Sequence, residues 1–183
     1  MEKRSAEMKA ELDFLDLLQR LHSPELDDIM CFITKLGDAG MVWIVVCAAL
    51  FIYPKTRRCS LAVGLALIFD AILCNVVLKP AFCRVRPCDV NNAVSLLIPR
   101  PSDYSFPSGH TAASFAVVSA LFFVGEQKLC LSSLVLAGLI AFSRMYLYVH
   151  YPTDILGGVL VGWVSGVVGN WAAKAIFRMT IHS

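Results

Sequence analysis

The sequence predicts an all-α fold: a polytopic membrane helical bundle with five clear spans, preceded by an N-terminal amphipathic or sixth helix. Three observations carry this. The 183-residue chain is 57% hydrophobic and only 16% charged, with a mean hydropathy of +0.67, a composition foreign to soluble domains. Five apolar runs, at 36–53, 59–78, 108–125, 130–149 and 155–177, each approach the roughly 20 residues that cross about 30 Å of hydrocarbon. None alternates polar and apolar residues as a barrel strand would, and backbone groups in lipid need partners within the segment, so these runs are helices.

The elements follow in order. Residues 11–35 hold Glu11, Asp13, Asp16, Arg20, Glu25, Asp27, Asp28 and Lys35. At about 2.5–3.5 kcal/mol per central charge, a crossing here is prohibitive. Two amphipathic helices are expected instead. In the second, Ser23 is the N-cap, Pro24 the first helical residue, and Leu26, Ile29, Met30 and Ile33 form one stripe. The segment is expected to lie on the membrane surface, to dip part-way in, or to pack on the bundle. This gives two regions, an interfacial segment at 1–35 and a membrane-embedded bundle at 36–183. The first thirty residues carry charges throughout and no compact apolar core, so no cleavable signal is expected.

The run at 36–53 is marginal, because Asp38 sits near its start. In the second run Asp70 must face the bundle interior, where it is expected to bond a neighbouring hydroxyl or, as the less favoured alternative, to support the site from a distance. In the last, Gly158, Gly162 and Gly166 make consecutive G-x-x-x-G steps, a close helix-packing face. The connections sort by side. Lys55, Arg57, Arg58, Lys128, Lys174 and Arg178 mark one face as cytoplasmic. The connections 79–107 and 150–154 fall on the other, extracytoplasmic face. Lys79, Arg84, Arg86 and Arg100 run against that count, which stands if they have another task. Arg84 and Arg100 suit snorkelling to head groups. The seven cysteines include no C-x-x-C pair, so no zinc site is expected; Cys83 and Cys88 share one polar connection, where a pairing is open to them in an oxidising compartment but is not the favoured expectation. His22 and His182 lie apart from the other two histidines and are read as structural.

Span parity brings three stretches to one face: "KPAFCRVRP" (79–87), "PSGH" (107–110) and "SRMYLYVHYPTD" (143–154). Lys79, Arg86 and Arg144 supply cationic donors, the arginines with planar forks that suit phosphate oxygens. Ser108 and Gly109 open a helix whose free N–H groups and positive dipole end face the site. His110 and His150 can carry protons or attack. Asp154, four residues beyond His150, can fix its tautomer. The sum is an anion pocket with two imidazoles, suited to phosphoryl transfer without a metal.

These stretches resemble the three signature motifs of the type 2 phosphatidic acid phosphatase superfamily: K-x-x-x-x-x-x-R-P at Lys79 to Pro87, P-S-G-H at Pro107 to His110, and S-R-x-x-x-x-x-H-x-x-x-D at Ser143 to Asp154. The resemblance implies a bundle of usually six helices and a phosphohistidine mechanism with no metal or other cofactor. It implies that His150 is the nucleophile, Asp154 orients it, and His110 protonates the leaving oxygen and then activates water. Lys79, Arg86, Ser108, Gly109 and Arg144 would hold the phosphate. The chain departs from the family at its start: either residues 8–36 form an irregular first span or the bundle is reduced.

The expected activity is that of an integral membrane lipid phosphatase, hydrolysing a lipid phosphate or pyrophosphate. Undecaprenyl pyrophosphate, a cell-wall carrier, is preferred, because small proteins of this layout resemble bacterial undecaprenyl pyrophosphate phosphatases. Phosphatidylglycerophosphate and phosphatidic acid are alternatives. A haloperoxidase-like enzyme, built on similar motifs because vanadate mimics phosphate, and a non-enzymatic lipid transporter rank below these. The expected location is the cell membrane, multi-pass, with the active site on the extracytoplasmic face. The expected partners are the bilayer and a membrane lipid substrate, with no nucleic acid, and nothing in the sequence specifies an oligomeric state.

Overall fold

The computed structural model describes residues 2–181, so His182 lies outside the described residues. The helices are α1 Glu2–Gln19, α2 Pro24–Leu36, α3 Met41–Ile52, α4 Arg57–Ala71, the single turns α5 Lys79–Phe82 and α6 Pro87–Val90, then α7 Gly109–Val124, α8 Gln127–Tyr146 and α9 Pro152–Ile181. Helix α2 starts as its sequence dictates. Ser23 has extended backbone, its Oγ accepts from Leu26 N at 3.3 Å, and Pro24 follows.

The first apolar run does not form the continuous span expected at 36–53. Helix α2 ends at Leu36, and α3 begins at Met41 after a short 3-10 turn, Asp38–Gly40. Ala39 and Gly40 both take left-handed backbone (φ 49° and 68°), a conformation that costs a non-glycine residue about 1–2 kcal/mol. The pair α2–α3 is bent by 47° at this break. Among the described residues, three helical stretches are long and apolar enough to cross a membrane alone: Pro54–Val90, which contains α4, then α8, and Pro152–Met179 within α9. The bent pair makes a fourth if counted as one span, and α7 is apolar but only 16 residues long. The N-terminal charges are accommodated because α1 and α2 rest on α8 and the chain after it. His22 stacks on Tyr146 (ring centroids 4.2 Å apart), and Tyr146 Oη donates to Asp27 at 2.6 Å.

The glycine stripe on α9 packs within the chain. A Cβ at Gly162 would lie 2.4 Å from Ala112 O, and one at Gly166 2.4 Å from Ser119 Cβ, both on α7. One at Gly169 would meet Ala62 O of α4 at 2.5 Å. Only glycine allows these backbones so close. The approach sets the first turn of α7 against the first turn of α9, and Ser108 N donates to Asp154 O at 3.1 Å. Between α4 and α5 the chain is π-helical over Ile72–Leu78, a local widening typical of functional sites, and Lys79 follows at its end. Asp70 is buried as expected, but among the described residues its Oδ1 has no hydrogen-bond partner.

Candidate active site

The nucleophile candidate sits in the link between α8 and α9. The last turn of α8 folds the link back on itself: Val149 N and His150 N both donate to Arg144 O, at 3.1 and 3.3 Å. Tyr148 is left-handed (φ 60°), and its hydroxyl is tied down by donating to Asp16 Oδ1 at 2.7 Å and accepting from Asn91 Nδ2 at 3.2 Å. His150 is thereby 1% exposed.

The surroundings of its ring fix the tautomer. Arg86 Nη1 lies 3.1 Å from His150 Nε2 and also donates to Val149 O at 2.8 Å. Guanidinium only donates, so Nε2 is the accepting nitrogen and holds a lone pair. The proton is then on Nδ1, which faces Asp154 Oδ2 at 3.4 Å. That distance is long for a formed bond, and among the described residues Nδ1 has no other partner, a looseness common before substrate arrives. Burial pushes the His150 imidazole down to about 3, against the pull of Asp154 and with the push of Arg86 and Arg144. The ring is therefore held neutral at physiological pH.

Asp154 is held from several directions. Its Oδ2 accepts from Ser105 Oγ and from Tyr151 N, and Oδ1 accepts from Arg84 Nη1 at 2.6 Å. Arg84 does not snorkel. Its guanidinium lies 4.0 Å from the Tyr151 ring centroid, and Nη2 pairs with Glu11 of α1 at 2.5 Å. Glu11 also accepts from Thr153 Oγ1 at 2.6 Å. Arg100 instead pairs with Asp89 at 2.6 Å on the surface.

The cation cup forms beside this assembly. Lys79 Nζ pairs with Asp103 Oδ2. Arg86 donates from Nη2 to Asp103 Oδ1 at 2.6 Å and from Nε to Asp103 O at 2.9 Å. Burial works against the charge on Asp103, but the Lys79 bond and charge, with Arg86, hold its carboxyl down to about 2. Two cations thus already converge on one pair of anionic oxygens. Arg144 is 4% exposed, donates to Thr34 Oγ1 at 2.6 Å, and has no partner for its Nε among the described residues. Its charge adds to that of Arg86 in opposing protonation of the buried His150 ring.

Helix α7 contributes the other half. Ser108 does not offer a free N–H as the sequence suggested, because Asp154 O takes it. The first bond back into α7 is Ala112 N to Ser108 O, which leaves the N–H groups of Gly109, His110 and Thr111 without helical partners. A Cβ on Gly109 would lie 3.5 Å from Lys79 Nζ, which places this helix start against the cup. His110 Nε2 lies 2.9 Å from Asp38 Oδ1. It borders a cavity of about 810 Å³ whose walls include Ile44, Phe51, Leu67 and Ile68.

Among the described residues, no group of three or more His, Cys, Asp or Glu is placed to hold a metal ion. Cys83 and Cys88 are both free thiols, one exposed and one buried, and do not pair. All eight residues expected from sequence lie at this end of the bundle. Five contributors were missed: Glu11, Asp38, Arg84, Asp103 and Ser105.

An all-helical membrane bundle presenting a buried neutral histidine, its carboxylate and a cationic cup defines a phosphoryl-transfer enzyme of the bilayer. Residues 59–178 match the PAP2 superfamily, and the chain belongs to it. It is 33% identical over 141 residues to the undecaprenyl-diphosphatase of Sulfolobus acidocaldarius, covering 76% of this chain and 68% of that one. The crystal structure of Aquifex aeolicus LpxE superposes with a TM-score of 0.75 at 30% identity, over 86% of this chain and 93% of that one. A transmembrane PAP2-type phosphatidylglycerolphosphate phosphatase from Bacillus subtilis also gives 0.75, at 29% identity over 93% and 88% of the two chains.

Proposed function

We propose that this protein hydrolyses a lipid phosphate or pyrophosphate through a phosphohistidine at His150. The observation that carries the reading is the His150 ring: Nε2 lone pair beside Arg86, Nδ1 proton toward Asp154. Nε2 attacks phosphorus, the bond to the lipid oxygen breaks, and that oxygen takes both the bonding pair and a proton from His110. Asp154 steadies the charge that develops on the His150 ring. Lys79, Arg86, Arg144 and the N–H groups at Gly109 and the start of α7 hold the phosphate oxygens, while Ser108 braces that helix start against Asp154. The incoming phosphate takes the oxygens' place now filled by the Asp103 carboxylate. Water then attacks phosphorus, His110 accepts its proton, and the P–N bond returns its pair to Nε2.

The apolar cavity beside His110 supports a lipid leaving group, because it receives a hydrocarbon tail where the leaving oxygen must be protonated. Undecaprenyl pyrophosphate is the preferred substrate, favoured by the relative from Sulfolobus acidocaldarius. Phosphatidylglycerophosphate is the alternative, favoured by the Bacillus subtilis structure. A panel of both lipids, with phosphatidic acid, read as orthophosphate release in detergent, decides among them. Release from none would reject the reading.

The same reading puts the site on the extracytoplasmic face of the cell membrane, supported by Lys55, Arg57, Arg58, Lys128, Lys174 and Arg178 at the opposite end. Cys83, exposed on the site side, is then labelled by an impermeant maleimide in intact cells, and protection would reverse the orientation. Residues 1–35 form an interfacial segment and 36–183 the catalytic bundle. The ties from Glu11, Asp16 and Asp27 to Arg84, Tyr148 and Tyr146 support a segment that covers the site face.

A further inference from the structure

The mechanism above leaves unused a carboxylate that touches one of its two imidazoles. Asp38 Oδ1 lies 2.9 Å from His110 Nε2. Its placement is built into the chain. The left-handed backbone of Ala39 and Gly40 turns α2 into α3 within one short 3-10 turn, and Asp38 opens that turn. Gly37, just before it, is pressed against the imidazole: a Cβ there would come within 2.7 Å of His110 Cδ2. Trp43, at the start of α3, donates Nε1 to Ser114 Oγ at 2.9 Å, and Ser114 Oγ donates to His110 O at 2.7 Å. These bonds pin the break to the first turn of α7. A carboxylate in an apolar span is costly, and here it lies where a ring must become cationic.

We infer that Asp38 is the positioning residue for His110: it accepts the Nε2 proton and so leaves Nδ1 as the nitrogen that delivers a proton to the lipid oxygen. The inference rests on reading His110 as the acid. In the imidazolium both nitrogens carry hydrogen. As the P–O bond breaks, its electron pair goes to the lipid oxygen, which takes the Nδ1 proton. The neutral ring keeps Nε2–H on Asp38. In the second step the Nδ1 lone pair takes a proton from the attacking water while the P–N bond breaks. Asp38 stays ionised and moves no proton. The charged groups facing His110 are Asp38 from the break, Arg144 from α8 and Lys79 from α5. Asp38 is the negative one of the three and the one in hydrogen-bond contact with the ring.

The test compares leaving groups on full-length protein in detergent. Dioleoyl phosphatidate releases an alkoxide that needs a proton, and p-nitrophenyl phosphate releases a phenolate that does not. For Asp38→Asn, kcat/KM on the lipid falls about 10- to 100-fold while kcat/KM on the nitrophenyl ester falls less than about threefold. Asp38→Glu keeps the charge and recovers part of the lipid activity. In a His110→Ala background, Asp38→Asn costs nothing further on the lipid. Equal losses on both substrates, additive losses in the double variant, an unchanged rate, or a gain from Asp38→Asn would each overturn the inference. A wild-type protein that releases phosphate from neither probe would instead count against the lipid phosphatase reading itself.

Discussion

The two imidazoles of the site are housed in opposite ways. His150 is 1% exposed and sits in a link folded back on Arg144 O, with Arg86 on one nitrogen and Asp154 facing the other. Asp154 is itself held by Ser105, Tyr151 N and Arg84. The His110 side chain is 20% exposed, has Asp38 as its carboxylate partner, and borders the apolar cavity. The difference matches the two tasks proposed for them. A nucleophile must hold one lone pair on one line through phosphorus, and misplacement there is costly. An acid that becomes a base must meet first a lipid oxygen and then water, so it needs an open side.

The most damaging way to break the comparison is to free the buried ring. Asp154→Asn removes the acceptor that fixes the Nδ1 proton and leaves Arg84 without its buried partner, so kcat is expected to fall about 10³-fold. Orthophosphate release under saturating lipid measures it, and a loss under about tenfold would show that Asp154 does not orient the nucleophile. On the open side, Gly37→Ala drives a methyl to within 2.7 Å of His110 Cδ2. The ring must turn, and kcat/KM on a lipid phosphate is expected to drop roughly tenfold, while the nitrophenyl ester is spared. Ser105→Ala removes one of several contacts to Asp154 and is expected to cost only about two- to fivefold in kcat.

The pH profile sharpens the same contrast at the level of protons. Burial holds His150 at about 3, below the ordinary histidine value near 6.5. The acidic limb of kcat/KM, where His150 gains a proton, therefore lies well below neutral, and the limb on the alkaline side reports loss of the His110 proton. Titration of kcat/KM from pH 3 upward checks this, and an acidic limb at about 6.5 would contradict the buried, neutral nucleophile.

Much of the site was legible because its residues break the logic of the membrane. Lys79, Arg86, His110, Arg144, His150 and Asp154 sit at span ends on one side, and chain parity alone collects them. The packing role of Gly158 and Gly162 was also readable, since their spacing puts them on one face of α9. Asp38 was visible only as a defect in an apolar run, because nothing local says that a left-handed Ala39 would turn it onto His110, 72 positions away. Arg84 has the same chemistry as any snorkelling arginine until Asp154 and Glu11 are set around it by tertiary packing. Asp103 and Ser105 lie in the stretch that enters α7, yet an acidic residue in a cationic cup reads from sequence as a loop charge. Glu11 gave no signal at all, being one of several acids on a polar helix.

The central claim, that His150 attacks phosphorus while His110 serves from the other side, has a direct measurement. His110→Ala protein is mixed with p-nitrophenyl phosphate, whose phenolate leaves without a proton, quenched in base to preserve phosphohistidine, digested and examined by mass spectrometry. The account predicts a phosphoryl group on the peptide containing His150, more abundant than in wild-type protein because the second step lacks its base. Phosphate on another residue, or turnover with no covalent adduct at His150 under any quench time, would contradict it.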